Sequence, residues 1–266
     1  MANVRDWRGD ELSLTSFYYS IPRVTRTWLT AATLFTLACG LGFVPFGAVL
    51  LDWDRVLRKY EIWRPLTASF LLGPLGLNFL FDLVFLYRFS KSLETGVFMG
   101  SSAEYTWMLV VIEFFLCLAS MVLVPLPILG RCLMMAIMHV WSRKFPRERV
   151  HVFVFAVPAA YLSFALLAIN TLLAGRLDIP GIVGVLSGHL FYFLDAIYPS
   201  LHGHQRAGIT KTPSWMYRLF GERPRNQPRN QRNEITQPRS ASILSQIRGH
   251  HWGTGQRLGS AEDIDS

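Results

Sequence analysis

Six apolar stretches, at 27–44, 66–87, 103–124, 128–141, 152–174 and 181–198, set the limits on what this chain can fold into. The hydrocarbon core of a bilayer is about 30 Å thick and takes roughly 20 apolar residues as a helix, fewer where the bilayer thins. An open chain can satisfy its backbone polar groups inside lipid only as a helix, so each stretch is expected to be a transmembrane helix. The fourth and sixth are short, and "GPLG" at 73–76 interrupts the second. Composition points the same way. Of 266 residues, 51% are hydrophobic and 17% charged, whereas soluble domains carry about 25% charged residues.

A formal charge of +8 and a pI of about 9.7 resemble a nucleic-acid signature. The basic residues, however, lie between apolar runs and in the tail, so no nucleic-acid partner is expected. Lys and Arg in short loops orient a membrane protein. One side carries Arg5, Arg8, Arg23, Arg26, Arg88, Lys91, Arg143, Lys144, Arg147, Arg149 and the tail. That side is expected to be the cytosol, with both termini in it. Residues 1–26 form a cytosolic N-terminal segment and 27–199 a six-helix membrane domain. No apolar signal core precedes the first span, which is expected to act as its own anchor.

The first loop, 46–65, breaks the orientation rule with Arg55, Arg58, Lys59 and Arg64 on the far side. Val49, Leu50, Trp53, Val56, Leu57 and Tyr60 recur at helical spacing opposite its charges. Two arrangements suit that pattern: a helix lying in the membrane interface, or one packed on the bundle. From 200 onward the chain is rich in Arg, Asn, Gln, Pro and Ser, and a disordered cytosolic tail over 200–266 is expected.

Gly184 and Gly188 form a G-x-x-x-G pair that lets another helix approach to backbone contact, without indicating which helix. Asn78, Asp82, Glu113, Arg131, His139 and His189 put polar or ionisable groups inside spans, where they are costly. Glu113 and His139 fall roughly 16–18 Å from the far ends of their spans, a depth that allows them to pair for function or for structure alone. Arg131 is expected to snorkel to the interface. His189 has no serine suited to an intramembrane hydrolase. The fourth span contains none, and Ser187 diverges from His189 by about 200° on the same helix. Cys39, Cys117 and Cys132 lie in apolar runs without metal-ligand spacing. No enzyme activity, metal or cofactor is expected.

Several motifs together resemble the Derlin family, rhomboid-like pseudoproteases. They are "IWRPLT" at 62–67 with Trp63 and Arg64, "GPLGLNFLFDLVFLYRFSKSLETGVF" at 73–98, "HVWSRKFP" at 139–146, "GHLFYFLDAIYP" at 188–199 and "HWGTGQRLGS" at 251–260. The family carries an uncharged polar residue where this chain has Asp82. The resemblance implies an all-α, six-transmembrane rhomboid-like bundle in the endoplasmic reticulum membrane. It also implies a non-catalytic part in moving misfolded proteins to the cytosol for degradation, alongside a membrane ubiquitin-ligase complex, and the number of copies that assemble, a homo-oligomer among the options, is left open by the sequence. Trp252, Gly253, Gly255, Arg257, Leu258 and Gly259 resemble the SHP box (251–259) that recruits the valosin-containing AAA ATPase. Two apolar anchors among glycines suit a weak, tethered contact. Polar groups and short spans would thin and wet the lipid bilayer locally. The alternative is a receptor that delivers clients to a separate channel.

Overall fold

The computed structural model describes residues 14–152, 155–201 and 208–224. They are mostly helical. Helix α1 (Leu14–Ser20) precedes α2 (Arg23–Gly40), and three short helices follow: α3 (Phe46–Val49), α4 (Trp53–Lys59) and α5 (Arg64–Phe70). Helix α6 (Leu77–Ser92) runs into a π turn, Leu93–Val97, before α7 (Ser102–Val122) and α8 (Gly130–Lys144). Strands β1 (Arg149–Val152) and β2 (Phe155–Pro158) pair antiparallel, with Arg149 opposite Pro158. A 3-10 turn leads into α9 (Leu162–Ala174), then α10 (Ile179–Tyr192) with a second π turn, Phe193–Ile197, and α11 (Tyr198–Leu201). Helix α12 (Ser214–Phe220) lies beyond the last span.

Every residue of α8 from Cys132 to Ser142 is buried, because α5, α6, α7, α9 and α10 pack around it. That explains how a short apolar helix can carry Arg131, His139 and two basic C-terminal residues: its surroundings are protein. The exposed apolar side chains belong to its neighbours. Val110, Phe114, Leu118 and Met121 of α7, Leu172 and Leu173 of α9, and Leu186 and Leu190 of α10 are exposed. By length and composition, Ser102–Val122 and Ile179–Leu201 are sufficient to cross a membrane alone, and Ala159–Ala174 is apolar but shorter.

Four sequence expectations change. The first apolar helix begins at Arg23, not at 27, because Pro22 ends the preceding turn and its missing N–H costs nothing at a helix start. The second stretch breaks completely, since 66–70 belong to α5 and α6 starts only at Leu77. The fifth stretch spends its first residues on β2 and the 3-10 turn. Structure also continues past 200. Pro213 precedes α12, and Gly221, at φ 66°, ends it in the left-handed conformation that glycine adopts without strain.

Both faces of the bundle are tied by contacts between distant parts of the chain. On one, here the tail side, the start of α2 meets the 93–97 turn, the start of α7 meets Glu222 just beyond α12, and the end of α8 meets the second π turn. On the other, the loop side, α3–α5 close over the ends of α7 and α8. The Leu51 N–H donates to Pro127 O at 3.0 Å and the Leu129 N–H to Ala68 O at 3.0 Å.

Candidate functional site

The loop-side layer turns on Arg64. Its guanidinium is buried, and Nη1 donates to Gly47 O at 3.0 Å and Leu50 O at 2.7 Å while Nε reaches Glu61. Three carbonyl or carboxylate partners at one guanidinium tie α3, the 50–52 link and α5 into a single unit. Arg64 therefore locks the loop and does not face lipid headgroups. Trp63 next to it points outward, and Tyr60, Ile62 and Leu66 are exposed beside it. The expected single amphipathic helix over 46–65 is two short ones, α3 and α4, with Asp52 capping α4 through the Asp54 N–H. Its apolar residues divide. Val49 is buried, and Trp53 and Val56 pack on the core, with Trp53 Nε1 donating to Ser120 Oγ at 3.2 Å, while Leu57 and Tyr60 are exposed.

Gly184 and Gly188 face α8. A Cβ added at Gly184 would stand 2.3 Å from Cys132 O, and one at Gly188 would stand 2.6 Å from Ala136 O. The two backbones touch, which only glycine permits on the α10 side. That approach brings His139 Nε2 to 3.3 Å from His189 Nδ1. The expected Glu113–His139 pair does not form. Glu113 accepts from Ser69 Oγ of α5, so α7 joins the loop-side layer, and His139 finds another imidazole instead.

Arg131 does not snorkel. Its Nη2 lies 3.6 Å from Asp178 Oδ2, and Asp178 also caps α10 by accepting from the Gly181 N–H at 3.2 Å. Between α6 and α9, both seated on α8, runs a cleft of about 40 Å³ lined by Asn78, Asp82, Arg131 and Asn170 with Met134 and Met138. Asn78 and Asp82 both line it, in the loop-side half of the bundle. Polar groups from three helices line a groove flanked by exposed apolar side chains, an arrangement suited to holding a polar group of a membrane-embedded chain.

The tail side holds carboxylates that sequence reading missed. Glu94, in the first π turn, is buried and accepts from the Val24 N–H at 3.1 Å, the Thr25 N–H at 2.9 Å, Thr25 Oγ1 at 2.8 Å and Ser102 Oγ at 3.1 Å. It caps α2 from another helix, since Pro22 offers no side-chain cap. Glu222 does the same for α7, accepting from the Ser102 N–H at 3.0 Å and the Ala103 N–H at 3.2 Å. Tyr217 of α12 donates to Glu104 at 2.9 Å, and Trp107 Nε1 donates to Ile209 O at 2.9 Å. In the second π turn, Asp195 receives Lys144 Nζ at 2.7 Å. Each π turn re-aims its acidic residue across the bundle. The one sequence hint of Glu94 was negative: α2 starts after a proline with no local capping side chain.

A family model described as the Der1-like family matches residues 21–214, which takes in every element from α2 to the start of α12. The chain belongs to the Der1-like family. Among relatives of this family, Derlin-1 of Caenorhabditis elegans is 31% identical over 258 residues, covering 93% of this chain and 99% of its own length. Derlin-1 of Homo sapiens is 30% identical, covering 97% and 99%. Derlin-1 of Arabidopsis thaliana is 31% identical, covering 76% of each. Der1-like membership and the apolar spans make this a membrane protein. Its terminal box, Trp252 to Gly259, lies outside the described residues.

Proposed function

We propose that this Der1-like chain is a six-span, non-catalytic component of endoplasmic-reticulum-associated degradation that eases misfolded polypeptide from the lumen to the cytosol. Both termini lie in the cytosol in this reading. The observation that carries it is the polar cleft set into a bundle with short helices. Helix α8 has 15 residues, about 22 Å of rise. Ala159–Ala174 has 16 residues, about 25 Å with its 3-10 turn. Both fall short of the ~30 Å of an ordinary hydrocarbon core. Lipid in contact with α9 has to thin to meet it, and a thinner, wetter barrier costs a polar chain less to cross. The exposed Tyr60, Ile62 and Trp63 suit an interfacial rim around the thinned zone. Pairing of His189 with His139, not with a serine, favours a binding role over peptide-bond hydrolysis.

The tail box at 251–259 recruits the valosin-containing AAA ATPase in this account, and that motor supplies the pulling force. A membrane ubiquitin ligase and further copies of the chain complete the assembly. The test is bilayer thickness around the protein in phosphatidylcholine nanodiscs, read by electron cryomicroscopy. Headgroup layers drawn together by several ångströms beside α9 are expected. An undeformed bilayer of ordinary thickness refutes the thinning step.

A further inference from the structure

Asp82 is the one acidic group lining the α6–α9 cleft, and the only cation that lines the cleft with it, Arg131, is shared with Asp178. Among the described residues it makes no hydrogen bond and no ion pair. Arg131 lines the same cleft, but its guanidinium engages Asp178 at 3.6 Å. Asn78 and Asn170 contribute amides, and the remaining lining is apolar or Met. A lone carboxylate at membrane depth is expensive and is normally matched by a partner.

We propose that the cleft binds a basic side chain, Lys or Arg, carried on a membrane-embedded segment of a client polypeptide, with Asp82 as its counter-charge. This rests on the client-binding reading above and names its substrate class. The size agrees. A cleft of about 40 Å³ holds about three water-sized groups, the bulk of an ammonium or guanidinium head but not of a helix. The client's helix stays outside, against Leu80 and Val84 of α6 and Leu172 and Leu173 of α9, all exposed and apolar. The amides of Asn78 and Asn170 offer carbonyl oxygens to the remaining N–H donors of the cation. Asp82 lies five residues into α6 from Leu77, about 7.5 Å along the axis, so the bound charge sits in the loop-side leaflet. A client whose membrane segment carries a stray Lys or Arg, and so fails to settle in lipid, is the one this site retains.

The experiment uses the full chain in phosphatidylcholine proteoliposomes with a photo-crosslinking amino acid at Leu172, on the rim. The probe is a single-span Leu/Ala helix with one guest residue, Lys, Leu or Glu, about 7–8 Å inside its loop-side end. Cross-linking of the Lys probe is expected to exceed that of the Leu probe by about tenfold. Asp82→Asn is expected to level the two, and Asp82→Lys to shift preference to the Glu probe. Thermal midpoints of both variants, compared with the parent protein, identify any loss of folding. The charge swap supports the proposal even if the Asn variant is weakened. Equal cross-linking of Lys and Leu probes to the unaltered protein, or a Lys preference that survives Asp82→Asn, overturns the proposal and leaves client binding standing. No cross-linking of any probe overturns client binding itself, and the proposal with it.

Discussion

Replacing Gly184 with alanine tests the α8–α10 seam with a single methyl group. The new Cβ would lie 2.3 Å from Cys132 O and 3.0 Å from Met135 Cβ. Relieving the oxygen contact to about 3.3 Å requires the backbones to part by about 1 Å, since no flexible side chain can yield instead. A gap of that size forfeits a quarter to a half of the dispersion attraction along the seam. Overpacking of this kind costs about 3 kcal/mol at the upper end of its range. Alanine returns about 1 kcal/mol of helix propensity, leaving a net loss of about 2 kcal/mol. Gly188→Ala, with its Cβ 2.6 Å from Ala136 O, acts on the same gap. Once the helices have parted for one methyl the second costs less, so the double variant should lose less than the sum. Reversible unfolding in mixed detergent micelles reads the loss, with Gly47→Ala as a control, where a Cβ meets nothing within 4 Å. A Gly184→Ala protein within about 0.5 kcal/mol of the parent would refute backbone contact at this seam.

Two further predictions concern the tail side. Glu94→Ala leaves the Val24 and Thr25 N–H groups of α2 without acceptors in a buried site, at about 3 kcal/mol for the two. The same unfolding assay should show that loss, with Glu94→Gln about half as damaging because one acceptor oxygen remains, and equal stability of all three would refute the cap. Glu222→Ala should free the Ser102 and Ala103 N–H groups at about 1 kcal/mol. Hydrogen exchange at those two amides should quicken several-fold while α8 stays protected, and unchanged exchange there would show that α12 is held by its aromatic contacts alone.

The membrane character, the helical class, the G-x-x-x-G seam and the Derlin likeness were all legible along the chain. Each is a local property: hydropathy over a window, a four-residue spacing, a short motif. The Leu66–Phe70 segment reads as part of the second stretch because its apolar residues continue the run that becomes α6. The GPLG break at 73–76 marks the boundary, and the docking of α5 on α8, with the Leu129 N–H on Ala68 O, decides that 66–70 stay on the loop side. Likewise α12 was hidden by the polar chain around it, because its stability comes from burying Met216 and Tyr217 against Ala103.

Sequence alone determined which segments are apolar and helical, because hydropathy and backbone hydrogen bonding act on each segment through its own composition. Tertiary structure alone decided which polar groups meet. Glu94 reaches Thr25 across 69 positions, His139 reaches His189 across 50, and Glu222 reaches Ser102 across 120. A buried polar group takes whichever partner the packing places within about 3 Å, and that distance is fixed by how five helices settle around α8, which no window along the chain contains.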